Sequence, residues 1–312
     1  MWNITSITAP QYSCEQSLLI SFANYCGRDY QMILSDTWGF NYTYKNKTIG
    51  EKISPGYGKA RFDNYESFHG IKIYDYQLQS PNELIKFVSQ NIQSSPVMID
   101  FDTYNCPWNK LYKRKHLFHR LLILDEFKND GFFCIDHKTN DPVLLNINEL
   151  ENWNKRASTF CVKPIYVIEN DYFNQLSNHC RHIVDSNMLN NLKNFTSDIN
   201  NIQDYSSEIK DSKDALDVSL LINTQRLSNQ RLCFKEYLEY LYSLNILPEL
   251  DRDYIEIFTL LSSKYNILQF SFAKDIAQNK KRKKTTLLEE IFLLESSAVD
   301  KLINICESIK GR

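Results

Sequence analysis

The spacing of apolar residues changes character once along this 312-residue chain, and that change limits the available folds more than any single motif does. Up to about residue 168, short apolar runs alternate with turn residues. From Ser206 onward, apolar residues recur every three or four positions over long stretches: Leu220, Leu221, Leu227 and Leu232, then residues 234–242, 255–267 and 286–309. The second texture buries one stripe of a helix, whereas the first suits short strands and a few helices. We therefore expect an α+β domain over residues 1–168 and an all-α helical domain over residues 169–312, in line with about 150 residues per domain. Residues 170–205, polar and rich in asparagine, read as a connector with helical pieces at the start of the second domain. No internal repeat or long low-complexity tract interrupts this plan.

Within the first domain, Leu18, Leu19, Phe22 and Tyr25 share one helical face over residues 14–26, and Gly27 supplies a stop. Ser80-Pro81-Asn82-Glu83 is a second helix start, a capping box with proline at the first helical position. Residues 96–101 read as a strand. The apolar runs 117–124 and 131–136, separated by Lys128-Asn129-Asp130-Gly131, carry the clearest hairpin signal, and a further strand is expected over 159–168. Helices first and antiparallel strands later give the α+β class.

Charge and composition narrow the function. With 38 acidic against 36 basic residues the net charge is −2, so no global field draws the chain to nucleic acid or to an anionic membrane. At 43% hydrophobic residues there is ample apolar surface for a packed core. The opening MWNITSITAP has neither a basic nor an apolar leader region, and no run of 18 apolar residues occurs, so a cytoplasmic protein is expected. Eight cysteines without a CxxC pair suggest reduced thiols.

One of those thiols stands apart. In QYSCEQSLL, Ser13 and Gln16 form a capping box that puts Cys14 at the first helical position, where unpaired amides and the positive helix end favour a thiolate. A cysteine there is also readily a small buried hydrophobe, so a partner is required. Of the six histidines, His119 fits a general base best, because it opens the apolar run RLLIL. Asp136 ends the next strand across the expected hairpin and would orient it; Asp102 is a second candidate for that place, or a buttress for the loop holding Tyr104. A histidine entering a strand is equally consistent with a hydrogen-bonded core residue, and Asp136 with a loop cap. His116, three residues before His119, lacks the further ligands of a metal set and reads as a positioning or surface residue. His179-Cys180-x-His182 reads as a solvated helix turn. The run Lys280, Lys281, Arg282, Lys283, Lys284 is by default a solvated charge block, with docking of an acidic partner surface or a phosphate group as the functional alternative.

Two blocks carry a family resemblance. Cys14-Glu15-x-x-Leu18, Asn24-Tyr25-x-Gly27 and Trp38-Gly39-Phe40-x-Tyr42 form the first; Asp102-x-Tyr104-x-x-Pro107, Tyr112, His116-x-x-His119 and Ile135-Asp136 form the second. Together they resemble the N-terminal domain of the butirosin-biosynthesis protein H family, closely over residues 10–165 and loosely through residues 226–241. The resemblance implies a papain-like, peptidase C39-like fold. The activity it implies moves an acyl group from a carrier-protein thioester to a small amine, or to water, in natural-product or nonribosomal-peptide assembly. On that footing Cys14 is the nucleophile, His119 the base and Asp136 the orienting carboxylate. The phosphopantetheine is carried by the partner, an acyl or peptidyl carrier protein or a peptide synthetase, with no cofactor on this chain. Two departures bear on the oxyanion hole: Leu124-Asp125-Glu126-Phe127 stands where a glycine is usual, and Thr8 where a glutamine is. The Cys14 amide with Gln11 is the candidate oxyanion hole. A peptidase or amidase on the same scaffold and a non-catalytic carrier-binding adaptor remain alternatives. No nucleic acid or membrane is expected as partner, and a homodimer is left open.

Overall fold

The computed structural model describes residues 2–310 apart from 44–46, 55–60, 128–130, 140, 154, 211–216 and 246–249. In chain order its elements are α1 (Cys14–Tyr25), β1 (Asn41–Tyr42), α2 (Ile49–Lys52), β2 (Ile53–Ser54), α3 (Arg61–His69), β3 (Ile71–Gln77), α4 (Pro81–Asn91) and β4 (Val97–Asp102). There follow β5 (Phe118–Phe127), β6 (Gly131–Ile135), β7 (Val143–Asn146) and β8 (Arg156–Val162), and then helices alone: α5 (Glu169–Asp185), α6 (Met188–Asn201), α7 (Ser206–Ile209), α8 (Ser219–Ser243), α9 (Arg252–Gln278) and α10 (Thr285–Lys310). The class is α+β with a helical C-terminal region. Two compact units form, Met1–Ile33 with Phe62–Tyr166, and Leu34–Arg61 with Val167–Arg312. The second unit thus takes in Leu34–Arg61, which a linear division at residue 168 assigns to the first.

The first unit is built on a six-stranded antiparallel sheet in the order β3-β8-β4-β5-β6-β7. The two apolar runs pair as β5 and β6, with Phe127 opposite Gly131; the Lys128-Asn129-Asp130 turn lies outside the described residues. Alternate residues Val97, Ile99 and Phe101 of β4 and Leu121 and Ile123 of β5 join Leu84 and Val88 of α4 in one core. Helix α1 starts and stops as its sequence predicts: Ser13 caps it, and Gly27 adopts a left-handed φ of 63° just beyond its end. Leu18, Leu19 and Phe22 are at most 2% exposed, each worth about 1.5–3 kcal/mol of burial.

Strand limits differ from expectation at β8, which spans Arg156–Val162 and not 159–168. Lys163 still donates to the Gly70 carbonyl at 2.7 Å, but Pro164 has no N–H to continue the ladder. The edge strands β3 and β7 carry no strong apolar alternation; β3 exposes four of its seven residues.

In the second unit, long helices enclose an aromatic core that includes Trp38, Phe234, Phe258 and Tyr265. At its centre Arg231 of α8 and Glu295 of α10 are fully buried, 2.6 Å apart. Glu295 also accepts from the Trp38 indole at 2.8 Å and from the Tyr265 hydroxyl at 3.0 Å, while Arg231 donates to the Gly39 carbonyl at 3.0 Å. Gly50 of α2 lies so close to α8 that a Cβ there would sit 2.1 Å from the Leu220 nitrogen. These contacts explain why residues 34–61 belong with the helices. The supposed connector is itself helical: α5 and α6 bury Leu176, His179, Cys180, Ile183, Leu192 and Phe195.

Candidate active site

The site begins at the head of α1. Ser13 Oγ accepts from the Gln16 amide at 3.2 Å and Gln16 Oε1 accepts from the Ser13 amide at 2.9 Å, so the capping box forms and Cys14 occupies the first helical position. Its backbone amide is among those a helix leaves without an internal partner. Gln11 lies just upstream, in a turn closed by the Tyr12 amide on the Ala9 carbonyl at 3.1 Å.

His119 enters β5 opposite Phe101 of β4 and is 2% exposed. Its Nε2 lies 2.8 Å from Asp136 Oδ2, and the Cys14 side chain hydrogen-bonds to the same imidazole. The three residues read from the sequence are therefore brought together, in the order Cys14, His119, Asp136. Burial alone would lower the proton affinity of His119; the bonds to Asp136 and Cys14 outweigh it and raise the pKa to about 9. The ring is an imidazolium at neutral pH, poised beside the sulfur.

Asp136 follows the last residue of β6 and is fully buried. Burial opposes its charge, yet hydrogen bonds from His119, His137 and Trp108 hold its carboxyl far below the usual carboxylate range. Trp108 Nε1 donates to Oδ2 at 2.8 Å and the Lys138 amide to Oδ1 at 2.9 Å. Trp108 and the Lys138 amide were not anticipated. A tryptophan within the loop between Asp102 and His119 was visible in the sequence, whereas a backbone amide leaves no mark there. His137 Nδ1 lies 3.0 Å from Asp136 Oδ1, and burial lowers its pKa.

His119, Asp136 and His137 offer ligand atoms within 4.8 Å of one another, the one such trio among the described residues. Both Asp136 oxygens already accept hydrogen bonds, so the trio forms a hydrogen-bonded cluster centred on one carboxylate.

Asp102 is corrected as a rival orienting group. Its Oδ2 meets His116 Nδ1 at 2.7 Å and its Oδ1 accepts from the Tyr104 amide at 2.9 Å, so it buttresses the loop instead of reaching His119. His116 is exposed and stacks on Tyr104 with ring centroids 4.2 Å apart.

The lysine run does not present one exposed face. Lys284 is 5% exposed and its Nζ bonds to Asp275; Arg282 reaches Asp275 Oδ1 at 3.0 Å, and Lys281 reaches the Asn200 carbonyl at 2.8 Å. The buried Asp275 draws two cations inward to close the α9–α10 turn, leaving Lys280, Lys281 and Lys283 exposed. Nor is His179-Cys180 a solvated turn. His179 packs against Trp38 and Phe234, and burial lowers its pKa to about 3; only His182 of that group is exposed.

Burial raises the pKa of the half-buried Cys26 and of the buried Cys106, Cys134 and Cys233 above the ordinary thiol value. No described helix is long and apolar enough to cross a membrane. No protein-family model matches the chain, and no curated protein matches it either.

Proposed function

We propose that the chain is a cysteine-dependent acyltransferase or thioesterase of papain-like architecture, working through a Cys14 acyl-enzyme. The observation that carries this reading is the buried His119, bonded at once to Asp136 and to a cysteine at a capped helix start. A nucleophile-bearing helix that precedes an antiparallel sheet carrying the base and its carboxylate supports the papain-like part.

The chemistry follows from the parts. The Cys14 thiolate attacks the thioester carbonyl, forming a carbon–sulfur bond and an oxyanion beside the Cys14 amide, with Gln11 as the proposed second donor. Collapse expels the pantetheine thiolate, which takes its proton from the His119 imidazolium. Neutral His119 then removes a proton from an amine or water as that nucleophile attacks the acyl-enzyme. Protonated again, it faces the Cys14 thiolate as that departs. Asp136 stays ionised throughout and keeps the ring turned toward the sulfur.

The donor class rests on the two sequence blocks quoted above: an acyl group on the phosphopantetheine of a carrier protein or peptide synthetase, passed to a small amine. Lys110, Lys113 and Arg114, exposed on the loop that leads into His119, support an acidic partner in the unit that holds the catalytic residues. Lys113 Nζ stands over the Tyr104 and Tyr112 rings at 4.9 and 5.2 Å.

Incubating the chain with an acyl N-acetylcysteamine thioester, with and without amines, tests the reading. Wild type should gain one acyl mass on the peptide containing Cys14, and Cys14→Ala should gain none and lose turnover. A fully active Cys14→Ala variant would refute it. Rapid cleavage of a peptide panel with no attack on the thioester would turn the reading to a peptidase.

A further inference from the structure

The residues that follow Cys14 and His119 in sequence also meet each other. Arg120 NH1 donates to Glu15 Oε1, and Arg120 Nε lies 2.9 Å from Asp100 Oδ1, Asp100 being directly opposite Arg120 in the β4–β5 register. The three side chains are 3%, 8% and 10% exposed for Arg120, Glu15 and Asp100. Charges taken this far out of water are stable only when paired, so Glu15 and Asp100 both depend on Arg120.

Apolar packing under α1 holds the helix to the sheet, but such packing has no direction. Direction comes from polar contacts. Successive residues of a strand point to opposite faces, and successive residues of a helix diverge by about 100°. Cys14 to His119 and Glu15 to Arg120 are therefore two attachments between α1 and β5 along different directions. One attachment sets a distance; two also set the rotation of α1 about its axis, which decides where the Cys14 sulfur points.

Charge adds a second requirement. Glu15 places a carboxylate in the same helical turn as Cys14, where it would oppose a thiolate. Arg120 neutralises it at its oxygen and is itself held in place by Asp100.

We propose that Glu15, Arg120 and Asp100 form a positioning clamp, with Arg120 as its pivot, that aims the Cys14 sulfur at His119 and shields it from the Glu15 charge. This rests on the reading of Cys14 and His119 as the reacting pair. All three side chains are buried, so the clamp acts through the placing of Cys14.

The test needs no natural substrate. Alkylation of Cys14 by iodoacetamide is followed by peptide mass across about pH 5 to 10, in the full chain and in Glu15→Gln, Glu15→Asp and Arg120→Lys variants, with circular dichroism melts run alongside. Glu15→Gln keeps the shape and removes the charge, and it decides the matter if Arg120→Lys does not fold. A clamp predicts that Glu15→Gln melts cooperatively while its Cys14 rate near pH 7 falls about tenfold, the loss of aim outweighing the loss of the Glu15 charge, and that the limb of its pH–rate profile set by thiolate formation moves down in pH as the carboxylate is removed. The charge-keeping Glu15→Asp should recover a large part of both. Folded variants with the wild-type rate and an unmoved limb would overturn the clamp alone. A wild-type Cys14 that reacts no faster than free cysteine at neutral pH would remove the reacting-pair reading and the clamp with it.

Discussion

His119 shows how a side chain can sit inside a protein and still carry charge. Burial would leave the imidazole neutral, as it does for His179 and His69, whose pKa values fall to about 3. What separates His119 from them is its bonds to Asp136 and Cys14, which lift it to about 9. A folded pKa above the unfolded value of about 6.5 contributes stability that is complete below pH 6.5 and is lost as pH rises through about 9. The difference corresponds to a stabilisation on the order of 3 kcal/mol. We expect the melting temperature to fall between about pH 7 and pH 10, and Asp136→Asn to flatten much of that fall, as measured by calorimetry across the range. The identities of Cys14, His119 and Asp136 were legible because each stands at a marked place: a capping box, a strand entry and a strand end. The partition of the two aspartates was not. Asp102 is as close to His119 in sequence as Asp136 is, and only the pairing of β4 with β5 turns it toward His116 and the Tyr104 amide.

Elements differ in how plainly they announce themselves. The capping box at Ser13 forms as read, because the signal and its partner lie three residues apart, whereas at Ser80 only the cap forms and Glu83 accepts from the Gln79 amide at 2.7 Å and not from Ser80. The Ser13 cap serves chemistry as well as folding, since it defines which residue stands first in α1. Ser13→Ala should cost about 1 kcal/mol in urea unfolding and slow alkylation of Cys14, while leaving the rates of the seven other cysteines unchanged. A slower unfolding midpoint with unchanged Cys14 reactivity would separate the cap from the site. Edge strands are the opposite case. β3 and β7 pair through their backbones, and their exposed positions mix Tyr74, Tyr76 and Leu144 with polar residues, which leaves little period to read. Helix α5 does not announce itself as a packed element because its buried stripe at Leu176, His179, Cys180 and Ile183 is broken by a histidine and set among polar residues. The spacing of that stripe is helical even so.

At the scale of the whole chain the two units are each held by a buried charge cluster, and the clusters differ in kind. In the first unit one arginine serves two carboxylates. In the second, Arg231 and Glu295 are 2.6 Å apart with no exposure, tied to Trp38, Tyr265 and the Gly39 carbonyl. Removing one partner leaves a charge in a dry core, so Arg231→Met or Glu295→Leu alone should destabilise by about 3–5 kcal/mol in chemical denaturation. The double change Arg231→Met with Glu295→Leu should recover most of that loss, because two apolar groups leave no charge behind. A double variant no better than the singles would show that the hydrogen bonds to Trp38 and Tyr265 dominate. The Lys280–Lys284 run belongs to this scale too: its strength as a sequence signal came from charge density, yet a buried Asp275 uses Arg282 and Lys284 to close a turn.

Sequence by itself determined what is local: the helix that starts at Cys14, the strands that carry His119 and Asp136, the change from mixed to helical texture, and the residue types able to act as nucleophile, base and orienting acid. These follow from neighbours within a few positions, where spacing and side-chain chemistry set the energy. Tertiary structure alone decided which distant groups meet. It joined residues 34–61 to the helical unit, gave Asp136 and not Asp102 to His119, added Trp108 and the Lys138 amide behind that carboxylate, and set Glu15 against Arg120. The reason is physical. A buried charge must find its partner wherever the packed chain brings one within about 3 Å, and no period in the sequence records that distance.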